Sequence, residues 1–159
     1  MSLNHSICAS PRQRETMRFE PLKYEHLAQM AEIEKEAFDT PWTVAMFIPE
    51  LCSNDAFYTV AVRGEEVLGY GGFHKVLDEG HITNIAVKNT ERGKGIGKFL
   101  MSTLISKARE QGVEHMTLEV NVNNQRAIHL YESYGFKSAG IRKKYYNGRD
   151  DALIMWLDV

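Results

Sequence analysis

The densest chemistry in the chain lies at Arg92-Gly93-Lys94-Gly95-Ile96-Gly97, with Lys98 directly behind. Basic residues alternate there with glycines, a composition suited to holding an anion. The apolar run Ile82-Thr83-Asn84-Ile85-Ala86-Val87 precedes it, and an amphipathic stretch from about Gly95 to Gln111 follows. A strand is therefore expected to feed a glycine-rich turn that opens a helix. The first turn of a helix has unpaired N–H groups and the positive end of the dipole. Glycines let that backbone approach a phosphate, and Arg92, Lys94 and Lys98 add positive charge. Two familiar phosphate motifs fail on spacing. A nucleotide P-loop needs glycine five residues before the Gly-Lys pair and a hydroxyl residue after it, but Arg92 and Phe99 stand there. A dinucleotide fingerprint begun at Gly93 needs glycine or alanine where Lys98 stands. What remains is Arg-x-x-Gly-x-Gly after a strand, either an anion cradle or a basic turn with no ligand.

Other side chains suggest proton chemistry. In His115 to Val122, the apolar Met116, Leu118, Val120 and Val122 alternate with Thr117, Glu119 and Asn121. Glu119 thus faces away from the apolar side, as a plain exposed carboxylate or as a proton acceptor. Tyr131 lies in an expected helix over Gln125 to Tyr134, where it reads as a packing aromatic. His74 and His81 are not at metal-ligand spacing and read as ordinary strand residues, with a contact from His81 to a substrate as the secondary reading. Glu32, Glu34 and Glu36 cluster on one helix and read as a solvated face. Cys8 and Cys52 make neither a disulfide framework nor a metal cluster.

The elements that must position these groups follow from periodicity and punctuation. Arg18 to Leu22 reads as an opening strand and Tyr24 to Phe38 as a helix. Thr43 caps a second helix through Met46 and Phe47, which Pro49 should kink or end. Trp42, between those helices, either packs or lines a cleft. Strands follow at Ala56 to Val62, Val67 to Val76 and His81 to Val87. Gly69, Gly71 and Gly72 in the middle one suggest a bulge or close backbone approach. After the long helix and the Glu119 strand come the Tyr131 helix, a strand from Phe136, a turn at Asn147-Gly148 and a last strand from Asp150. The order predicts an α/β fold: a central mixed, twisted, seven-stranded sheet flanked by about four helices, with parallel crossovers at the two strand–helix–strand units.

Composition bounds the rest. The chain has 159 residues, 43% hydrophobic and 25% charged, with a net charge of −2. That suits one globular domain and argues against a general nucleic-acid binder. Residues 17–159 are expected to form the domain and residues 1–16 an extension outside its core. The absence of a long apolar run or a signal-like leader points to a cytoplasmic protein that does not contact a membrane.

Two segments match a known pattern together. Asn84-Ile85-Ala86-Val87 runs into the turn ending at Gly97, and Leu118-Glu119-Val120 is followed by Asn124-x-x-Ala127-Ile128-x-Leu130-Tyr131-Glu132-x-x-Gly135-Phe136. In these the chain resembles the GNAT superfamily of acetyl-CoA-dependent N-acetyltransferases. Within it, the chain resembles the bacterial ribosomal-protein alanine N-acetyltransferases, the RimI subgroup. Pro41-Trp42 after Ala37-Phe38, and Ile141-Arg142-x-x-Tyr145-Tyr146 followed by Gly148-Arg149-Asp150-Asp151-Ala152, fit that subgroup.

The resemblance implies the GNAT fold and acetyl-CoA as cosubstrate. The pyrophosphate would lie on the backbone of Arg92, Gly93, Lys94, Gly95, Ile96, Gly97 and Lys98. The pantetheine arm would pair with Ile85, Ala86 and Val87 like an added strand, with the Val87 N–H toward the thioester oxygen and Asn124 on the same arm. Glu119 would be the general base and Tyr131 the general acid, with Phe38 and Trp42 facing Tyr145 and Tyr146 across the acceptor. No metal is implied. The implied acceptor is the N-terminal amine of a ribosomal protein beginning with alanine. A small amine or a lysine side chain is the alternative acceptor, and a non-catalytic acetyl-CoA-binding module is the alternative of another class.

Overall fold

The structure, a computed structural model, describes residues 16–159. The expected N-terminal extension therefore lies, up to residue 15, outside the described residues. The elements run β1 (Arg18–Pro21), a 3-10 turn (Tyr24–His26), α1 (Leu27–Ala37), α2 (Val44–Cys52), β2 (Ala56–Arg63), β3 (Glu66–Val76) and β4 (Glu79–Val87). A second 3-10 turn (Asn89–Glu91) leads to α3 (Ile96–Glu110), β5 (His115–Asn121), α4 (Gln125–Ser133), β6 (Lys137–Tyr146) and β7 (Asp150–Asp158). The strands form one seven-stranded sheet in the order β1-β2-β3-β4-β5-β7-β6.

Side-chain alternation along the strands separates the helices into two layers. Val60, Val62 and Tyr70 pack with Leu27, Met30 and Ile33 of α1 and Phe47 of α2. Ala61 and Leu68 point the other way, onto Ile96 and Leu100 of α3. Met116, Leu118 and Val120 of β5 continue that second layer with Leu104 and Ile105 of α3 and Ile128 and Tyr131 of α4. Each such large side chain buried contributes about 1.5–3 kcal/mol.

The sheet is mixed because β4 and β5 are parallel while the other neighbouring pairs are antiparallel. The α3 connection is one expected crossover. The α4 connection is the other, since β5 and β6 are both antiparallel to β7 and so parallel to each other, but it skips one strand: β7 inserts between them. Pro49 does not end its helix at once. It sits inside α2, which continues three residues to Cys52, while Thr43 caps the start by accepting from the Met46 N–H. Pro49 is the sixth residue of a nine-residue helix, so its missing N–H costs the ladder a single bond, and only three residues follow it. The β6–β7 turn forms at Asn147 and Gly148, both left-handed (φ 55° and 65°), as a primed hairpin turn requires.

One irregularity shapes the molecule. The parallel pairing of β4 with β5 is confined to Glu79–His115, Gly80–Met116 and His81–Thr117. Just beyond His81, β4 carries a bulge: Phe73 opposes Ile82 and Gly72 opposes Asn84, so Thr83 is the extra residue. Bulges bend and twist a strand, and this one falls where β4 leaves β5. Gly72 makes room for it. A Cβ there would come within 2.4 Å of the Tyr58 ring, and the Tyr58 hydroxyl is 3.0 Å from the Thr83 hydroxyl.

Candidate active site

The divergence of β4 and β5 opens a cleft of about 700 Å³. Its walls take His81 to Ile85 from β4, Leu118 to Asn121 from β5, and Tyr131 from α4. The α1–α2 loop brings Phe38 and Trp42, and the β6–β7 hairpin brings Tyr145 and Tyr146. The Thr40 hydroxyl donates to Asn147 Oδ1 at 2.9 Å, tying that loop to that hairpin.

Glu119 stands on the cleft face of β5, with only 11% of its side chain exposed. Its Oε2 lies 2.5 Å from Nε2 of His81, and its Oε1 lies 3.5 Å from Nε of Arg142. The His81 hydrogen bond outweighs burial and, with the nearby Arg142 charge, holds the Glu119 carboxyl below the usual carboxylate range. Tyr131 is 8% exposed, packs edge-on to Phe136 at 6.0 Å and still reaches the cleft wall, so it both packs and lines the site. Burial pushes its phenol pKa up. Tyr146 is pushed up to about 12 by burial, then by Tyr145 and Glu119. A phenol with a raised pKa stays protonated at neutral pH, as a proton donor must.

The aromatic walls differ in exposure. Phe38 and Tyr145 are exposed, and the Tyr145 ring stands edge-on to Tyr146 at 5.0 Å. Trp42 both packs and lines the cleft: its ring is 5.1 Å from Phe47, and its backbone N–H donates to Oε1 of Glu34 at 3.0 Å. Asn124 caps α4 by accepting from the Ala127 N–H at 3.1 Å. That engages its carbonyl oxygen, while the residue also lines the cleft.

The glycine turn lies past the end of β4, beyond the residues that line this cleft. Gly93 and Gly95 are left-handed (φ 78° and 84°), and a Cβ at either would meet nothing within 4 Å. The glycines are thus required by backbone conformation, and the space above them is open to a ligand. The first bond within α3 runs from the Phe99 N–H to the Gly95 carbonyl, leaving the N–H groups of Ile96, Gly97 and Lys98 without helical acceptors. The Ile96 side chain is buried, so only its backbone faces the turn. Ala86 is likewise buried, on the α1 side of the sheet. The cations are not all equally free. Lys94 Nζ donates to Glu91 at 3.1 Å, and Arg92 Nε donates to the Val87 carbonyl at 3.3 Å. Glu91 is buried yet kept below its ordinary pKa, because Arg63 and Lys94 outweigh the desolvation that would raise it.

Three residues gain roles beyond those read from the sequence, although His81 already carried a secondary reading as a substrate contact. Glu34 is not on a solvated face. It is 1% exposed and accepts from the Trp42 N–H, from Asn84 Nδ2 at 3.1 Å and from the Tyr70 hydroxyl. The signal was present, since Glu34 falls on the apolar stripe of Leu27, Met30 and Ala31. His81 contacts Glu119, and Arg142 completes that cluster. No spacing could reveal either, because three separate strands supply the three residues.

Similarity to known proteins agrees with this geometry. Residues 27–136 match the family model for the acetyltransferase (GNAT) family. A Bacillus subtilis protein, named provisionally as a [ribosomal protein bS18]-alanine N-acetyltransferase, is 38% identical over 87% of this chain and 93% of its own. The Escherichia coli [ribosomal protein bS18]-alanine N-acetyltransferase is 35% identical over 80% of this chain and 87% of its own. A crystal structure of the Escherichia coli enzyme superposes with a TM-score of 0.82 at 32% identity, covering 90% of this chain and 94% of that one. The overall fold is thus shared with an enzyme alike in sequence, and the chain belongs to the acetyltransferase (GNAT) family.

Proposed function

We propose that this enzyme moves the acetyl group of acetyl-CoA onto the N-terminal amine of a protein, and that the acceptor is ribosomal protein bS18 beginning with alanine. One observation carries the reading: a single cleft gathers Glu119 and Tyr131 with Phe38 and Trp42 of the α1–α2 loop and Tyr145 and Tyr146 of the β6–β7 hairpin. A cleft walled by a loop and a hairpin fits the end of a polypeptide. The acceptor named for the Escherichia coli and Bacillus subtilis relatives adds the identity of that polypeptide.

An α-amine has a pKa of about 7.7–8.0, so at neutral pH most of it is protonated and cannot attack. The Glu119 carboxylate draws that proton off, directly or through an intervening group. The free amine attacks the thioester carbon, forming the C–N bond and a tetrahedral oxyanion. A backbone N–H at Val87 meets the oxyanion; losing such a donor costs about 3–4 kcal/mol in well-studied enzymes. The C–S bond then breaks. The departing thiolate takes a proton from the Tyr131 phenol, which recovers one from the nitrogen. The free N–H groups of the glycine turn and of the first turn of α3 hold the coenzyme's phosphates, with Lys98 beside them.

Among the described residues, those lining the cleft include Glu34, Asp39, Glu119 and Asp150 but no lysine or arginine, which favours a cationic acceptor and keeps a polyamine in the comparison. The test is acetyl transfer to an alanine-initiated peptide, to the same peptide with a blocked N-terminus and a free lysine, and to spermidine. Transfer to the first alone is expected. Transfer to spermidine alone overturns the acceptor. In the same assay, Glu119→Gln is expected to lower kcat about 10²–10⁴-fold, the usual contribution of a positioned acid–base group, with acetyl-CoA affinity nearly unchanged. A large loss of affinity contradicts the role.

A further inference from the structure

We propose that the proton leaving the acceptor amine is received by Nδ1 of His81, and that Glu119 acts through His81, orienting the imidazole and balancing its charge. This rests on the acetyl-transfer reading and assigns its base to two residues. Three observations lead there. The 2.5 Å between His81 Nε2 and Glu119 Oε2 requires one proton between the two atoms. In the neutral imidazole beside an ionised carboxylate, that proton belongs to Nε2, and Nδ1 keeps its lone pair. Nδ1 makes no hydrogen bond to any described residue, and the His81 side chain is 40% exposed where it lines the cleft, against 11% for Glu119. Both oxygens of Glu119 already face nitrogen donors, His81 and Arg142, which makes the carboxylate a weak acceptor for a further proton. As chemical groups, an imidazole is a stronger base than a carboxylate and so the better match for an ammonium proton.

The proton balance is complete. The ammonium gives one proton to Nδ1, producing an imidazolium against the Glu119 carboxylate and a free amine. The amine attacks and the C–S bond breaks. The second nitrogen proton goes to the thiolate by way of Tyr131, and the imidazolium returns its proton to water.

The charged and titratable groups around His81 come from every neighbouring strand. Glu119 lies on β5 and Arg142 beyond it on β6. His74 is the cross-strand partner on β3, held by Glu50 of α2 at 2.5 Å. Glu79 precedes His81 by two residues on β4, and Glu34, Asp39, Tyr131, Tyr145, Tyr146 and Asp150 line the same cleft.

The experiment is kcat against pH, from 6 to 9, for the wild type, His81→Gln, Glu119→Gln and the double variant, with acetyl-CoA affinity measured by calorimetry on each. His81→Gln is expected to lose at least 30-fold in kcat at pH 7, with acetyl-CoA affinity within twofold of wild type. That loss should shrink toward pH 9, where the amine loses its proton unaided. Glu119→Gln should follow the same trend, and the double variant should be no more than threefold worse than the poorer single one. A loss under threefold in His81→Gln overturns the proposal and leaves Glu119 as the base. A loss of equal size at every pH also overturns it, since a purely structural role has that signature. The series is run on whichever amine the wild type acetylates. Substrate choice by the wild type therefore judges the acceptor, and the variant-to-wild-type ratio judges His81.

Discussion

At the scale of single residues, two glutamates of one chain meet opposite electrostatic fates. Glu119 gains a hydrogen bond from His81 and a nearby guanidinium, and its pKa falls. Glu34 is desolvated more than its three donors compensate, and its pKa rises. The sign of each follows from linkage. A depressed carboxyl adds stability above its unfolded pKa that is lost as pH falls through the folded value. A raised carboxyl adds stability below its unfolded pKa that is lost as pH rises through the folded value. Glu34 should therefore make the fold less stable as pH climbs above the ordinary carboxylate range. Glu34→Gln keeps an acceptor for the Trp42 N–H and cannot ionise, so its melting temperature should fall less than that of wild type between pH 5 and 8. A steeper fall in the variant would contradict the burial argument. Sequence alone showed Glu34 on an apolar stripe, but only packing against Tyr70 and Asn84 distinguishes a buried carboxylate from an exposed one on the same helix.

At the scale of elements, the strand-turn-helix from Ile82 to Glu110 was legible because its signals are local: an apolar run, a glycine turn, then a helical stripe. Gly95 shows how local the requirement is. Its left-handed conformation starts α3, and nothing within 4 Å would obstruct a side chain. Gly95→Val should therefore cost about 1–2 kcal/mol of stability through backbone strain. It should also weaken acetyl-CoA binding at least tenfold, because the side chain would stand in the open space above the turn. Calorimetric titration with acetyl-CoA checks the second effect, and unchanged affinity would remove the anion-cradle argument. The bulge at Thr83 was only half legible. The glycines of β3 announced a close approach, but which strand took the extra residue depended on the Tyr58 ring filling the space over Gly72.

At the scale of the whole molecule, the split sheet has two halves that share α3. Leu100 packs with Ala61 and Leu68 in the first half, while Leu104 packs with Met116 and Leu118 in the second. A shared helix should make unfolding cooperative despite the cleft. Trp42 lies in the first half and Trp156 in the second. Urea transitions followed with either tryptophan as the sole fluorophore, the other replaced by phenylalanine, are expected to coincide. Leu104→Ala should lower stability by about 2–5 kcal/mol and move both transitions together. Separate transitions would mean that the halves fold as independent units.

Periodicity and punctuation determined the element order, the crossover through α3, the left-handed turn before it and the hairpin at Asn147-Gly148, because each is a property of neighbours along the chain. Tertiary structure decided what touches what. It slipped β7 between β5 and β6, opened β4 from β5 at Thr83, buried Glu34 and set His81 against Glu119. Those outcomes depend on contacts between residues tens of positions apart; local spacing hinted at the burial of Glu34 and at the close approach over Gly72, but it does not name the partners. His81 and Glu119 are 38 residues apart in sequence and 2.5 Å apart in space. The three β4–β5 pairs ending at His81–Thr117, which bring their strands side by side, exist only once the crossover has packed α3 onto the sheet.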